Sequence, residues 1–356
     1  VAITSPTPHT VVQRGDDDRA AVVVEGRAMV GTSVAVYAVP LDGFRGTATD
    51  VAPAELDARG AFRVTLRPVS GWYRIEAIAI RGDVVFGPSV LVPVGVGEVF
   101  VTAGQSNSAN HGAPRQAPAD ARVVAFGPGG WRPAADPQPI ATGDGGSPWP
   151  AFGDALAAGL DVPIGLVSVG WGGTTVEQWQ PGGTLYPRLR DALVALGASG
   201  ARAVLWHQGE SDAAGGTSTA VYAARLQAII RQSRLDAGYD VPWGIARVGF
   251  VPGLAQAPID AVVAGQNAVV AAGGGRGDIF AGPMTDDLVR LAWRSDGIHF
   301  NAQGLALHGQ RWAADVRTAL ALPAHAPEPT AVADDTPTPS ATAGDIGTPT
   351  PGRAST

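Results

Sequence analysis

Val99-Phe100-Val101-Thr102-Ala103-Gly104-Gln105-Ser106-Asn107 is an apolar run that ends abruptly in a glycine and three polar side chains. A short apolar run bounded by a turn signal predicts a buried strand. Ligands bind at the C-terminal edge of the strands in open α/β sheets, so Ser106 is predicted to lie where chemistry takes place. Taken alone, the same serine also suits the N-terminal cap of a helix.

On the C-terminal side of this stretch, strand-like runs alternate with helical segments. The predicted strands are 98–103, 123–126, 164–169, 203–207 and 243–248, and the predicted helices are 151–160, 187–197, 219–237, 257–271 and 302–320. Such alternation is typical of a parallel sheet with helices on both faces.

The N-terminal part, residues 1–96, has a different pattern of short strands separated by Gly, Asp and Pro. This pattern predicts a small β-sandwich, and we find no catalytic cluster in it. The C-terminal part, residues 323–356, is rich in Pro and Thr and is predicted to be a disordered tail or linker. We therefore expect an α/β domain at 97–322 between these two parts.

Composition excludes several classes of protein. The chain has 356 residues, a net charge of −7 and no cysteine, so disulfides, thiolate metal sites and a cysteine nucleophile are excluded. The acidic balance argues against nucleic acid as a partner, and no apolar window is long enough for membrane insertion. The six histidines are scattered without ligand spacing, so we expect no metal and no cofactor.

Two further segments suit a hydrolytic site. In Asp296-Gly297-Ile298-His299, the carboxylate can hold the imidazole in one tautomer, although a structural histidine would leave the same pattern. In Gly170-Trp171-Gly172-Gly173-Thr174, backbone N–H groups at a strand end can bind an oxyanion, and an ordinary glycine turn is the alternative.

A fourth segment, Trp206-His207-Gln208-Gly209-Glu210-Ser211-Asp212, also follows a predicted strand. The Gln208 amide can donate to developing negative charge. Glu210 can either fix its loop or serve as a second acid. Asn110 and His111, shortly after Ser106, either line the pocket or belong to a capped turn.

As a set, these segments resemble the SGNH/GDSL hydrolase superfamily, and within it the sialate O-acetylesterase-like branch related to carbohydrate esterase family six. The resemblance covers about residues 97–320 with the motifs in the right order. The wider superfamily usually has Asn where this chain has Gln208, and the branch has Gln.

The resemblance implies roles for individual residues. Ser106 would be the nucleophile, His299 the base and Asp296 its orienting acid. The oxyanion donors would be the N–H of Ser106, the N–H of Gly172 or Gly173, and the Gln208 side chain. Further candidates for substrate contact or for support of the site are Gln105, Asn107, Glu210, Asn110, His111 and Trp171.

The implied fold is a three-layer α/β/α sandwich with a flavodoxin-like parallel sheet, preceded by a small all-β Ig-like sandwich. The implied activity is removal of O-acetyl groups from a carbohydrate, of the sialate or acetylxylan type, through an acetyl-enzyme. The Pro/Thr-rich tail favours a secreted or periplasmic setting. There are two alternatives: an esterase that acts on lipid or aryl esters, and a carbohydrate-binding protein that has lost its activity.

Overall fold

A single strand of 21 residues, β8 (Val84–Gly104), runs through both predicted domains in the computed structural model. The structure describes residues 1–273 and 278–322. The first part of β8 pairs with the N-terminal strands, and its last part is the centre of a parallel sheet. The predicted boundary after residue 96 falls inside this strand and stays a prediction, and the predicted tail at 323–356 lies outside the described residues.

The chain forms strands first and then alternates strands with helices. The strands are β1 (Ala2–Ser5), β2 (Val11–Gln13), β3 (Val22–Arg27), β4 (Ser33–Pro40), β5 (Ala52–Ala54), β6 (Ala61–Leu66), β7 (Gly71–Arg81), β8, β9 (Val123–Gly127), β10 (Gly130–Pro133), β11 (Ile164–Ser168), β12 (Ala203–His207), β13 (Trp243–Arg247) and β14 (Ile279–Met284). The helices are α1 (Trp149–Leu160), α2 (Tyr186–Ala195), α3 (Glu210–Ala214), α4 (Thr219–Ala237), α5 (Gln256–Ala272) and α6 (Ala302–Ala319).

The sheet that carries the site has the spatial order β10-β9-β11-β8-β12-β13-β14. All pairs from β9 to β14 along this order are parallel, and β10 adds an antiparallel edge. The sheet is therefore mixed, and the C-terminal ends of β8, β11 and β12 meet at one edge. Any polar turn that follows these three strands is brought to that edge.

Helices cover both faces of this sheet. Phe100, on one face of β8, shares a core with Phe152 of α1 and Trp312 of α6. Val99 and Val101, on the opposite face, belong to a core that includes side chains of α2, α4 and α5. Burial on both faces explains why β8, β11 and β12 read as continuous apolar runs without alternation.

The N-terminal strands form a three-stranded sheet, β1-β3-β6, and a second layer made of β2, β4, β5, β7 and the first part of β8. Their core contains Val22, Val36 and Ile75. Val11 and Trp72, in contrast, pack into the core of the parallel sheet. The two halves of the described chain are thus joined by β8 and also by shared apolar contacts.

A buried carboxylate reinforces this junction. Glu98, at 0% exposure, accepts hydrogen bonds from Arg14 Nε at 2.8 Å, from Arg202 Nε at 2.6 Å and from Gln13 Nε2 at 2.9 Å. Three donors from distant parts of the chain compensate for removing this charge from water. Within residues 1–273 and 278–322, none of the helices combines the length and apolarity that crossing a membrane requires.

The five predicted helices and the predicted strands of the parallel sheet agree with the structure to within two residues, apart from the longer β8. Sequence reasoning missed β14, whose Ile279-Phe280-Ala281-Gly282-Pro283-Met284 contains two residues typical of turns. It also missed the short α3 and the short strands β1, β2, β5 and β10.

Candidate active site

Ser106 occupies a sharp turn directly after β8. Gly104 has φ of +131°, and a Cβ atom there would lie 2.0 Å from the carbonyl oxygen of His207, so only glycine fits. The Gln105 N–H then donates to the same carbonyl at 2.9 Å. A 3₁₀ turn over Ser106–Ser108 follows, and the Ser108 hydroxyl donates to the carbonyl of Ala103 at 3.0 Å. These contacts fix the turn on which Ser106 stands.

His299 and Asp296 lie together on a small hairpin between β14 and α6. His299 Nδ1 lies 2.7 Å from Asp296 Oδ2, and Asp296 Oδ1 accepts the N–H groups of Ile298 and His299 at 2.9 and 2.7 Å. Partial burial favours the neutral acid, but these hydrogen bonds outweigh it and lower the pKa of Asp296 to about 2. With Nδ1–H donating to Asp296, Nε2 of His299 is left to take up a proton.

Ser106 and His299 line one cavity of about 380 Å³ at the C-terminal edge of the sheet. The other residues that line it are Gln105, His111, Gly172, Gly173, Glu210, Ser211, Ala214, Val251 and Ile298. The structure thus brings residues from all four motifs to one place, as expected when the C-terminal ends of parallel strands share one edge of the sheet.

The two glycines after β11 differ in their hydrogen bonds. The Gly172 N–H donates to the Thr142 hydroxyl at 2.8 Å, so this donor is engaged within the protein. The N–H groups of Gly173 and Ser106 have no acceptor in the part of the chain that the structure describes. Both residues line the cavity, so each has a backbone donor that no group of the described chain occupies at this site.

The Gln208 side chain is fully buried and does not line the cavity. Its Nε2 lies 2.9 Å from the carbonyl oxygen of Thr174 and 2.6 Å from Asp212 Oδ2, and its Oε1 accepts the Tyr222 hydroxyl at 2.9 Å. In this arrangement the amide links the segments that contain Thr174, Asp212 and Tyr222. Its predicted contact with an oxyanion stays a prediction.

Glu210 connects the loop after β12 with the serine turn. Its Oε1 accepts Asn107 Nδ2 at 2.9 Å and lies 3.5 Å from His207 Nε2, while Oε2 has no partner among the described residues. Burial disfavours the carboxylate, but these two neighbours outweigh it and hold the pKa of Glu210 below its usual value. Asn107 also donates to the carbonyl of Ile298 at 3.3 Å, which links the serine turn to the hairpin of His299.

The remaining predicted residues are arranged around this centre. The His111 ring stacks on His299 at 5.5 Å between centroids, and burial together with the His299 ring lowers the pKa of His111. Trp171 is 40% exposed, with the Arg188 guanidinium 4.6 Å from the ring centroid. Asn110 does not line the cavity, and its amide binds backbone groups of the loop at 138–141.

Sequence reasoning missed two residues that shape the site. Thr142 accepts from Gly172 and lies 3.3 Å from His111 Nε2. Arg294, at 2% exposure, donates to carbonyls of the segment that carries the hairpin of His299. Neither residue stands in a motif, and no spacing pattern marks them. Among the described residues, no group of three or more His, Asp or Glu could hold a metal ion.

Comparison with known proteins identifies relatives of this arrangement. The protein named "Probable carbohydrate esterase" of Arabidopsis thaliana is 29% identical over 175 residues, which cover 42% of this chain and 67% of that protein. A crystal structure of a carbohydrate acetylesterase from Xanthomonas citri covers 90% of this chain and 76% of its own, with a TM-score of 0.58 and 22% identity. The match to the crystal structure of the Arabidopsis thaliana protein covers 62% of this chain and 98% of that protein's chain, with a TM-score of 0.51 and 22% identity.

At this level of identity, the two solved structures show a common fold. The family match goes further, because it spans the parallel sheet and every predicted site residue. Residues 96–318 match the family described as "Carbohydrate esterase, sialic acid-specific acetylesterase". The chain therefore belongs to this family of carbohydrate esterases, and it is an enzyme of the carbohydrate acetylesterase class.

Proposed function

We propose that this enzyme removes O-acetyl groups from a carbohydrate through an acetyl-enzyme formed on Ser106. One observation carries the proposal: Ser106 and the imidazole of His299, which Asp296 holds at 2.7 Å, line the same cavity. A serine hydroxyl becomes a useful nucleophile when a base takes its proton and an acid orients that base.

In the proposed mechanism, Nε2 of His299 takes the proton of Ser106 Oγ while Oγ bonds to the acetyl carbon. The tetrahedral intermediate collapses as its C–O bond to the sugar breaks, and the sugar oxygen receives the proton from His299. Water then gives a proton to His299 while its oxygen bonds to the acetyl carbon. The second tetrahedral intermediate collapses as the bond from the acetyl carbon to Ser106 Oγ breaks, Oγ receives the proton from His299, and acetic acid leaves and ionises to acetate. Asp296 stays ionised and stabilises the imidazolium of each step.

Two backbone donors support the developing negative charge. Ser106 and Gly173 line the cavity, and their N–H groups have no acceptor among the described residues, so we assign the binding of the oxyanion to them. Since the Gly172 N–H already donates to Thr142, we assign the role at this turn to Gly173.

The substrate is proposed to be an acetylated sugar of the sialate or acetylxylan type. Trp171, exposed and directly before the two glycines of the cavity, offers an aromatic face for a sugar ring. None of the described residues that line the cavity is Arg or Lys, whereas Glu210 is among them. The Arg188 guanidinium beside Trp171 lies outside the cavity and donates to the carbonyls of Val169 and Ile140. A sugar carboxylate would therefore find no cation inside the cavity itself, which favours a neutral acetylated sugar of the acetylxylan type.

We also propose that the parallel sheet belongs to the flavodoxin-like class and that residues 1–96 belong to the Ig-like class. Without β9 and β10, the strands of the site's sheet follow the flavodoxin order, and the N-terminal strands form two layers. A secreted or periplasmic location is part of the proposal, because Pro/Thr-rich segments such as 323–356 often link modules of secreted enzymes that degrade polysaccharides. Acetylesterase activity in the extracellular or periplasmic fraction of the host would test this location.

A fluorophosphonate probe and a panel of esters test the function. Wild-type enzyme should be labelled, and Ser106→Ala should be unlabelled with kcat reduced by about 10⁴-fold or more. Ser211→Ala, which changes the second serine of the cavity, should still be labelled. Labelling of Ser106→Ala would exclude Ser106 as nucleophile, and faster release of acetate from acetylated sialic acids than from acetylated xylan would contradict the neutral substrate.

A further inference from the structure

The side-chain amide of Gln105 has a defined orientation next to the nucleophile. Its Oε1 lies 3.2 Å from Gln208 Nε2, 3.4 Å from the Gly209 N–H nitrogen and 3.2 Å from the Ser211 N–H nitrogen. Turning the amide over would set its NH₂ group against these three donors. Oxygen is therefore fixed on the protein side of the amide, and nitrogen faces the other way.

The NH₂ group of Gln105 has no acceptor among the described residues, although the residue is only 3% exposed. Gln105 lines the cavity beside Ser106 and Gly173. Unlike Glu210 Oε2, Gln105 Nε2 is not among the buried side-chain atoms that lack a partner, so it is accessible to water or to a ligand, and either can complete its hydrogen bonds. The available place for that partner is the cavity.

Gln208 shows the opposite arrangement. Its two amide hydrogens face three acceptors within the protein: the carbonyl of Thr174, Asp212 and Gln105. Asp212 is itself held, because it accepts the Val176 N–H at 2.7 Å and the Thr217 hydroxyl at 2.8 Å. An oxyanion would have to take the Gln208 donor away from these partners, whereas the Gln105 donor is free.

We propose that Gln105 is a further catalytic residue, whose amide N–H donates to the oxyanion of the tetrahedral intermediate together with the N–H groups of Ser106 and Gly173. Gln208 is a positioning residue, since its amide helps to hold Gln105 Oε1 and so orients the Gln105 donor. This assignment rests on the proposed serine mechanism. Donors that are already oriented need no reorganisation when charge develops on the carbonyl oxygen.

Two substitutions separate donation by Gln105 from a structural role. Gln105→Glu keeps an oxygen for the three N–H donors and replaces only the NH₂ group, and Gln105→Met removes the donor without adding charge. We expect both to lower kcat by about 10²–10³-fold with little change in KM, as for loss of one oxyanion donor. The measurement uses a chromogenic acetate at the pH plateau of each variant, with active serines counted by the fluorophosphonate.

Controls distinguish this effect from general damage. Gln178→Glu makes the same chemical change at an exposed glutamine whose Oε1 accepts the Thr175 N–H at 2.9 Å, and it should leave kcat unchanged. Gln208→Leu should lower the melting temperature and reduce kcat per active serine less than Gln105→Glu does. Gln105→Glu should melt within a few degrees of wild type.

The outcomes separate the assignment from the mechanism on which it rests. Failure of the probe to label wild-type enzyme would overturn the serine mechanism. If labelling requires Ser106 but Gln105→Glu and Gln105→Met keep more than about a third of kcat, against the expected loss, the donor role is wrong. A large loss of kcat in Gln208→Leu at an unchanged melting temperature would show that Gln208, and not Gln105, donates to the oxyanion. If the Gln105 variants change only KM, Gln105 binds the substrate in its ground state and does not stabilise the intermediate.

Discussion

Replacing Arg294 by Met should destabilise the hairpin that carries Asp296 and His299. Arg294 is buried between the rings of Phe250 and Phe300, at 5.0 and 4.4 Å from their centroids. Its guanidinium donates to the carbonyl of Leu288 at 2.5 Å, to that of Thr285 at 3.4 Å and to that of Ile298. No carboxylate among the described residues lies within ion-pair distance of it.

Arg294→Met lowers the free energy of unfolding because three backbone carbonyls lose a side-chain donor. The carbonyl of Leu288 would lose its side-chain donor and remain buried, at about 1–3 kcal/mol. Those of Thr285 and Ile298 keep a second donor, from the Leu288 N–H and from Asn107, so each loss costs about 0.5–1.5 kcal/mol. Removing a buried guanidinium recovers part of this sum, because burial already disfavours its charge and lowers the pKa of Arg294. We expect a net loss of about 2–4 kcal/mol in the free energy of unfolding.

Urea denaturation measures this loss, and kcat per titrated serine measures its effect on the site. Because Nη1 of Arg294 holds the carbonyl directly before His299, kcat should fall about 10–100-fold, as expected for a small displacement of the base. Arg311→Met is the matched control, since the partly exposed Arg311 makes two hydrogen bonds to Asp287 and one to the carbonyl of Met284, and we expect its loss to cost about 1 kcal/mol. The reasoning would be refuted if the free energy of unfolding of Arg294→Met lay within about 1 kcal/mol of the wild-type value. It would also be refuted if this free energy were no lower than that of Arg311→Met.

Three further predictions concern charge, substrate and the junction of the two halves. Because the pKa of Asp296 lies at about 2, below its ordinary value of 3.8, its carboxylate should stabilise the fold fully above about pH 4 and lose this effect as the pH falls towards 2. The stability advantage of wild type over Asp296→Asn, measured by urea denaturation, should shrink as the pH falls from about 4 towards 2, and a difference that stays constant over this range would contradict the prediction. Trp171→Ala should raise KM for an acetylated oligosaccharide about 3–10-fold and leave that for a small aryl acetate unchanged, whereas Phe86→Ala, at the same 40% exposure, should change neither. Arg14→Met should lower the free energy of unfolding by about 2 kcal/mol, because the buried Glu98 loses one of its charged donors; equal stability in urea would show that Arg202 and Gln13 suffice.

Local pattern predicted much of this molecule. Apolar runs such as Val99–Ala103 belong to strands buried on both faces, and periodic segments such as 219–237 form helices, because each pattern can bury its apolar surface in only one way. The position of polar turns after such strands predicted one common edge for Ser106, Gly173 and Glu210, and the cavity at that edge contains them.

The length of β8 shows where local pattern is insufficient. The change from strands to alternating strands and helices occurs after residue 96, yet the backbone of β8 continues and pairs with β2 and β7 before it enters the parallel sheet. Strand pairing depends on partners distant in the chain, so the composition around Gly97 carries no sign of it.

The sequence by itself determined the chemical groups of the site: a serine after a glycine turn, an Asp and a His three residues apart, and two glutamines close to the same edge. Only the tertiary structure decided which of their donors are free. The Gly172 N–H donates to Thr142, thirty residues away, and the Gln208 amide donates to Thr174 and Asp212. Gln105 lines the cavity, and its NH₂ group has no acceptor among the described residues. A hydrogen bond depends on distance and angle between groups brought together by folding, and neither quantity is written in the spacing of residues along the chain.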